Sequence, residues 1–96
     1  MRVVLDPLAK AEMREAALFY EDCREGLGEE FLNAVELAFV EIARRPEMWR
    51  VIKGRFRRYL VHRFPYAVIY SIEDDDLYVA AVMHMKRKPD YWQDRV

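Results

Sequence analysis

Phe64-Pro65-Tyr66-Ala67-Val68-Ile69-Tyr70 alternates aromatic and aliphatic side chains, the period-two pattern of a strand laid on a core. The runs on either side have the same character. Arg57 to Arg63 and Leu77 to His84 are rich in β-branched and aromatic residues, as strands require. Glu73-Asp74-Asp75-Asp76 separates the last two as a charged hairpin turn. These connections are too short for parallel crossovers, so the three runs are expected to form an antiparallel meander. One face of such a sheet needs a cover, and the other must be partly wet or bind something.

The cover is legible upstream. Arg2 to Leu5 reads as a short strand, and Asp6-Pro7 opens a helix. Asp6 is a capping residue, and Pro7 suits the first helical position, where its missing donor is not needed. Ala9, Met13, Ala16, Tyr20 and Cys23 recur at helical spacing and mark the expected buried stripe. Gly26-Leu27-Gly28 ends that helix and begins another. The second helix is expected to bury Phe31 or Leu32, Val35, Ala38 or Phe39, and Ile42, and to close before Pro46. The short connector implies an antiparallel helix hairpin. The fold class is α+β: an N-terminal strand, a helix hairpin, then a three-stranded antiparallel meander.

Length and composition narrow the function. Ninety-six residues make one domain over 1–96, with no room for a second core. A hydrophobic content of 53% with 34% charged residues is that of a globular protein rather than a disordered one. No apolar run approaches the roughly 20 residues that cross a bilayer, and the N-terminus lacks the apolar core of a signal peptide. Cys23 is the single cysteine and suits a reducing compartment, so the cytoplasm is the expected location.

The net charge of −1 hides a segregation. Residues 1–48 carry 6 Lys/Arg against 11 Asp/Glu, and residues 49–96 carry 10 against 6. Between Arg50 and Arg63 lie Arg50, Lys53, Arg55, Arg57, Arg58 and Arg63 without one acid. An acidic helical half and a basic half that meets nucleic acid or an acidic peptide would produce this split, as would plain surface solvation.

The end of the chain adds His84-Met85-Lys86-Arg87-Lys88-Pro89-Asp90-Tyr91-Trp92, a histidine, three consecutive cations and two aromatics just past a strand. The element order, with Gly26-Leu27-Gly28, Arg58 to Arg63, Phe64-Pro65-Tyr66, Tyr70 and the His84-x-x-Arg87-x-Pro89-x-Tyr91-Trp92 ending, resembles the RelE/ParE superfamily of toxins from type II toxin–antitoxin modules. The resemblance covers nearly the whole chain and lies nearest the ParE-like, plasmid-stabilisation branch. It implies a small antitoxin partner whose C-terminal segment wraps the toxin, and no cofactor.

Two mechanisms follow from the resemblance. ParE-like members inhibit DNA gyrase by binding. RelE-like members resemble ribonucleases that cut messenger RNA on the ribosome, a reaction that needs a base at the ribose 2′-hydroxyl, cations at the phosphorane and an acid at the leaving oxygen. Under that alternative Arg63, Arg87, Tyr91 and His84 are the candidate catalytic residues. The near-neutral charge and acidic helical half favour the ParE-like reading over entry into an RNA-lined site. A third reading is a diverged interaction module without toxicity.

Arg57, Arg58, Arg63, Lys86 and Trp92 are the candidate partner-binding residues, the arginines being suited to an acidic antitoxin tail. Each has a plainer reading. Tyr66 and Tyr70 pack a sheet face, His84 is a strand-end histidine, and Trp92 anchors the tail. Two histidines 22 residues apart and one remote cysteine lack metal-ligand spacing.

Overall fold

The computed structural model describes all 96 residues. Strand β1 (Arg2–Leu5) leads into helices α1 (Pro7–Cys23) and α2 (Leu27–Arg44). Strands β2 (Arg50–Lys53), β3 (Phe56–Leu60), β4 (Tyr66–Glu73) and β5 (Asp76–His84) follow, and a 3₁₀ turn over Tyr91–Arg95 closes the chain. The layout is the expected α+β one. The sheet holds five strands in the order β1-β5-β4-β3-β2. The meander is antiparallel, and β1 lies parallel to β5 at one edge.

Strand β2 is an addition to the expected meander. It is four residues long, sits at the sheet edge and is mostly exposed, so its Arg50-Val51-Ile52-Lys53 carries too little alternation to stand out from the charged run around it. Strand β3 is also shorter than the Arg57 to Arg63 run. The chain leaves the strand after Leu60 because Arg63 adopts φ 74°, a left-handed conformation that no strand accommodates. The Val61 N–H still donates to the Tyr66 carbonyl at 2.9 Å, so residues 62–65 form a tight turn.

Local rules account for the helices. Asp6 caps α1, its Oδ1 accepting the Leu8 N–H at 2.9 Å, with Pro7 at the first position. The buried stripe of α1 is Ala9, Met13 and Ala16, continued by half-buried Tyr20. Cys23 was expected to continue it but is exposed. As the last residue of α1 it lies past the aromatic group that Tyr20 forms with Phe31, Phe64 and Tyr66, ring centroids 5.0–6.3 Å apart. Helix α2 buries Phe31, Val35, Ala38, Phe39 and Ile42.

The hairpin turn uses its two glycines differently. Gly26 has φ 85°, the region where a Cβ costs energy. A Cβ on Gly28 would stand 2.5 Å from the Ala17 carbonyl oxygen, so that glycine lets α2 touch the backbone of α1. Between them Glu21 at the end of α1 serves as the cap of α2. Its two carboxylate oxygens accept the N–H groups of Gly26 and Gly28, each at 3.0 Å.

The sheet is buried on both faces. Val68 and Tyr70 of β4 and Leu77, Val79 and Val82 of β5 join the helices in the main core. The phase changes along β5 because Ala80 is a bulge: Tyr70 pairs with Val79, and Ile69 pairs with Ala81. Ala67, Ile69, Ala80, Ala81 and Met83 form a second core with Phe56 and Trp92. The face expected to be wet is therefore roofed by the C-terminal turn.

Candidate functional site

The conspicuous ending of the sequence folds back over one end of the sheet. Tyr66 and His84 are directly paired at the ends of β4 and β5, their rings 5.1 Å apart and edge-on. Beyond His84 the chain turns sharply. The Met85 N–H reaches the Pro65 carbonyl at 2.8 Å, the Arg87 N–H the His84 carbonyl at 3.0 Å, and the Lys86 N–H donates to His84 Nδ1 at 3.0 Å. This hands Arg87 to a cleft of about 240 Å³ lined by Glu12, Glu15 and Phe19 of α1 and by Tyr66, His84 and Arg87.

Glu12 is the centre of this end of the molecule, and nothing in the sequence marks it. Its side chain is 13% exposed. One oxygen accepts the Val82 N–H at 3.1 Å and Arg95 Nη1 at 2.9 Å; the other accepts Arg95 Nη2 at 3.1 Å and the Tyr91 hydroxyl. Arg87 Nη1 stands 3.9 Å from the same carboxylate. The Arg–carboxylate contact is two-pronged, the strong form of the pair. Arg95 also donates to the Ala80 carbonyl at 3.0 Å, using the backbone that the bulge exposes.

Tyr91 lies between two guanidinium groups, Arg87 at 3.9 Å and Arg95 at 5.0 Å from its ring centre. Burial, and then its hydrogen bond to Glu12, push the Tyr91 hydroxyl far above the usual phenol range. Hydrogen bonding to Glu12 likewise raises Arg95. Chemically this is a locked assembly. The tyrosine is a committed donor, the carboxylate has its lone pairs occupied, and Arg87, half exposed, is the group left facing solvent.

The four residues named for catalysis do not all meet. His84 and Arg87 line the cleft and Tyr91 supports Arg87 from beneath. Arg63 lies elsewhere: it pairs with Glu30 at the start of α2 at 2.8 Å and stacks 5.0 Å over Phe64. Its two neighbours Arg63 and Arg24 hold the Glu30 carboxyl below the usual carboxylate range.

The residues named for partner binding divide in the same way. Arg57 is tied down, its Nη1 donating to the carbonyls of Glu47 and Trp49 at 2.9 and 2.8 Å, so it fastens the loop after α2. Arg58 and Lys86 make no ion pair. Trp92 is 1% exposed, rests on Phe56 with ring centroids 4.9 Å apart and donates to the Pro89 carbonyl at 2.8 Å. Its place is beneath the tail.

The order of strands, the helix hairpin on one face and the tail on the other define a two-sided α+β scaffold. Residues 3–89 match the profile of the ParE toxin of the type II toxin–antitoxin system parDE. The chain belongs to the ParE toxin family. No curated protein matches it in sequence. Among solved structures it is similar to a chain of the chromosomal ParDE toxin–antitoxin system from P. aeruginosa, with a TM-score of 0.65 and 12% identity over 88% of this chain and 95% of that one. At that identity the likeness speaks to the fold.

Proposed function

We propose that this protein acts by binding DNA gyrase and blocking it, and that a cognate antitoxin holds it inactive. The observation that supports a binding mechanism over a hydrolytic one is the state of Glu12. It occupies Tyr91 and Arg95 and draws Arg87 toward itself, while Arg63 is paired with Glu30 at another part of the surface. Ribonuclease chemistry of the RelE-like kind needs a free acid, a free base and convergent cations around one phosphate. Here the acid and its cations are spent on each other. A half-exposed arginine on a rigid aromatic base is instead a good anchor for a protein surface.

Purified protein separates the readings. Loss of gyrase supercoiling with ribosome-bound message left whole is the expected result. Cleavage of that message, abolished by Arg87→Ala, would replace this reading with the ribonuclease one. Neither effect, together with retained antitoxin binding, would mark a non-toxic interaction module.

The antitoxin is expected to contact the basic half of the molecule. Arg58→Glu is the informative charge reversal, because Arg58 makes no internal ion pair, and it should weaken antitoxin binding and flatten its salt dependence. Arg57→Glu would in addition release the loop carbonyls it serves.

A further inference from the structure

Arg50 and Arg58 face each other across β2 and β3 as directly registered partners. Side chains so placed lie on one face of the sheet within reach of each other, and like charges there are destabilising. Neither arginine has an acidic partner. Arg55, at the turn of the same hairpin, is matched by Glu73 at 2.7 Å, so the fold supplies acids where it uses them for itself.

The pair stands at the rim of a notch. Because β2 begins at Arg50, opposite Arg58, residues Tyr59 and Leu60 run past its end with no strand beside them. The Val61 N–H points to β4, donating to Tyr66. Backbone groups alternate along a strand, so those of Leu60 point the other way, into the gap. The notch is a cavity of about 340 Å³ lined by Trp49, Arg50, Arg58, Tyr59, Leu60 and His62. Leu60 is 57% exposed. The Trp49 indole N–H is the one buried side-chain polar atom without a partner.

We infer, resting on the binding mechanism proposed above, that this notch is a docking site for an acidic, amphipathic segment of a protein partner, setting a carboxylate on the Arg50–Arg58 pair on one face of the sheet edge and an apolar side chain against the Trp49 and Tyr59 rings on the other. Charge complementarity gives the sign of the occupant. The apolar lining gives its class. A nucleic-acid backbone would satisfy the arginines but leave the Trp49 and Tyr59 rings uncovered, and it would also meet the repulsion of the acidic helical half.

The test uses the isotopically labelled full chain, titrated by NMR with a soluble peptide carrying glutamate and leucine at alternate positions, and separately with a short DNA duplex. Peptide-induced shifts should centre on Arg50, Arg58 and Leu60. Arg50→Glu should weaken peptide binding by about tenfold or more. The same substitution should leave the fold intact or firmer in a thermal melt, since it turns a cross-strand repulsion into an attraction. Shifts centred elsewhere, unchanged peptide affinity in Arg50→Glu, or occupation of the pair by the duplex in preference to the peptide would each overturn the inference.

Discussion

Glu12 and Glu15 lie one turn apart on the same acidic helix, and local sequence gives no reason to rank one above the other. Tertiary register decides. Glu12 falls opposite the bulged part of β5 and beneath the C-terminal turn, and there it accepts from Val82, Tyr91 and Arg95. Glu12→Ala leaves Arg95, 10% exposed, without its counter-ion and two further donors unmatched. The expected loss is roughly 3–5 kcal/mol, as for other broken buried ion pairs, read as a lowered midpoint in urea unfolding. Glu12→Gln, which keeps the shape and one acceptor, should lose less. Equal losses would show that the charge of Glu12, and not its shape or remaining acceptor, carries the whole effect. Arg63 shows the opposite limit of reading residue by residue: its motif position suggests a strand, but its backbone conformation is the left-handed one of a turn. Its side chain consequently serves α2 instead of the cleft.

At the scale of elements, the helix hairpin is where sequence and structure agree most closely, because its determinants are local. Asp6, Pro7, the apolar stripe and the glycine pair each act within a turn or two of themselves. The two glycines should fail differently when changed. Gly26→Ala places a side chain in the left-handed region and should cost about 1–2 kcal/mol. Gly28→Ala gains helix propensity, about 1 kcal/mol, but drives a methyl group into the Ala17 carbonyl. That clash, typically about 1–3 kcal/mol for overpacking, should leave it destabilised and should shift Ala17 in an NMR spectrum. A Gly28→Ala variant as stable as the parent would mean that the helices separate without loss. Strand β2 was hidden for the converse reason. Four edge residues, three of them exposed, have too little face-to-face alternation to betray them, and only pairing with β3 makes them a strand.

Across the whole molecule, the sheet is sealed by helices on one side and by seven buried residues under the tail on the other. The second seal was not legible from Trp92 alone, since an aromatic near a C-terminus reads equally as a partner anchor. Its burial against Phe56 assigns it to the fold. Trp92→Ala should cost about 3–5 kcal/mol, the usual loss for emptying such a site, and should expose apolar surface detectable by dye binding. Unchanged dye binding would mean that the tail stays seated without its indole.

Alkali should loosen both faces together. Burial raises Tyr70, on the helix side, to about 12, and burial followed by the Asp6 hydrogen bond raises Tyr78, packed on the other side, to about 12. An unfolded chain gives up these protons near pH 10. Between the two values the folded state binds more protons than the unfolded one, so stability falls as pH rises through that window. Thermal melts stepped across it should show the decline, and Tyr78→Phe should reduce it. A flat profile would place both hydroxyls in contact with solvent.

The parallel pairing of β1 with β5 has a consequence for biosynthesis. Arg2 is registered with Asp76 and Leu5 with Val79, so β1 has no neighbour until β5, some seventy residues later, has been made. Synthesis runs N-terminus first, and contacts so distant along the chain form late. A nascent chain halted before Asp76 should therefore have an orphaned first strand and an uncovered helix face, and the corresponding fragment is expected to lack a native circular dichroism spectrum. The fold is thereby completed only once β5 exists: a chain halted before that strand has not become the folded protein.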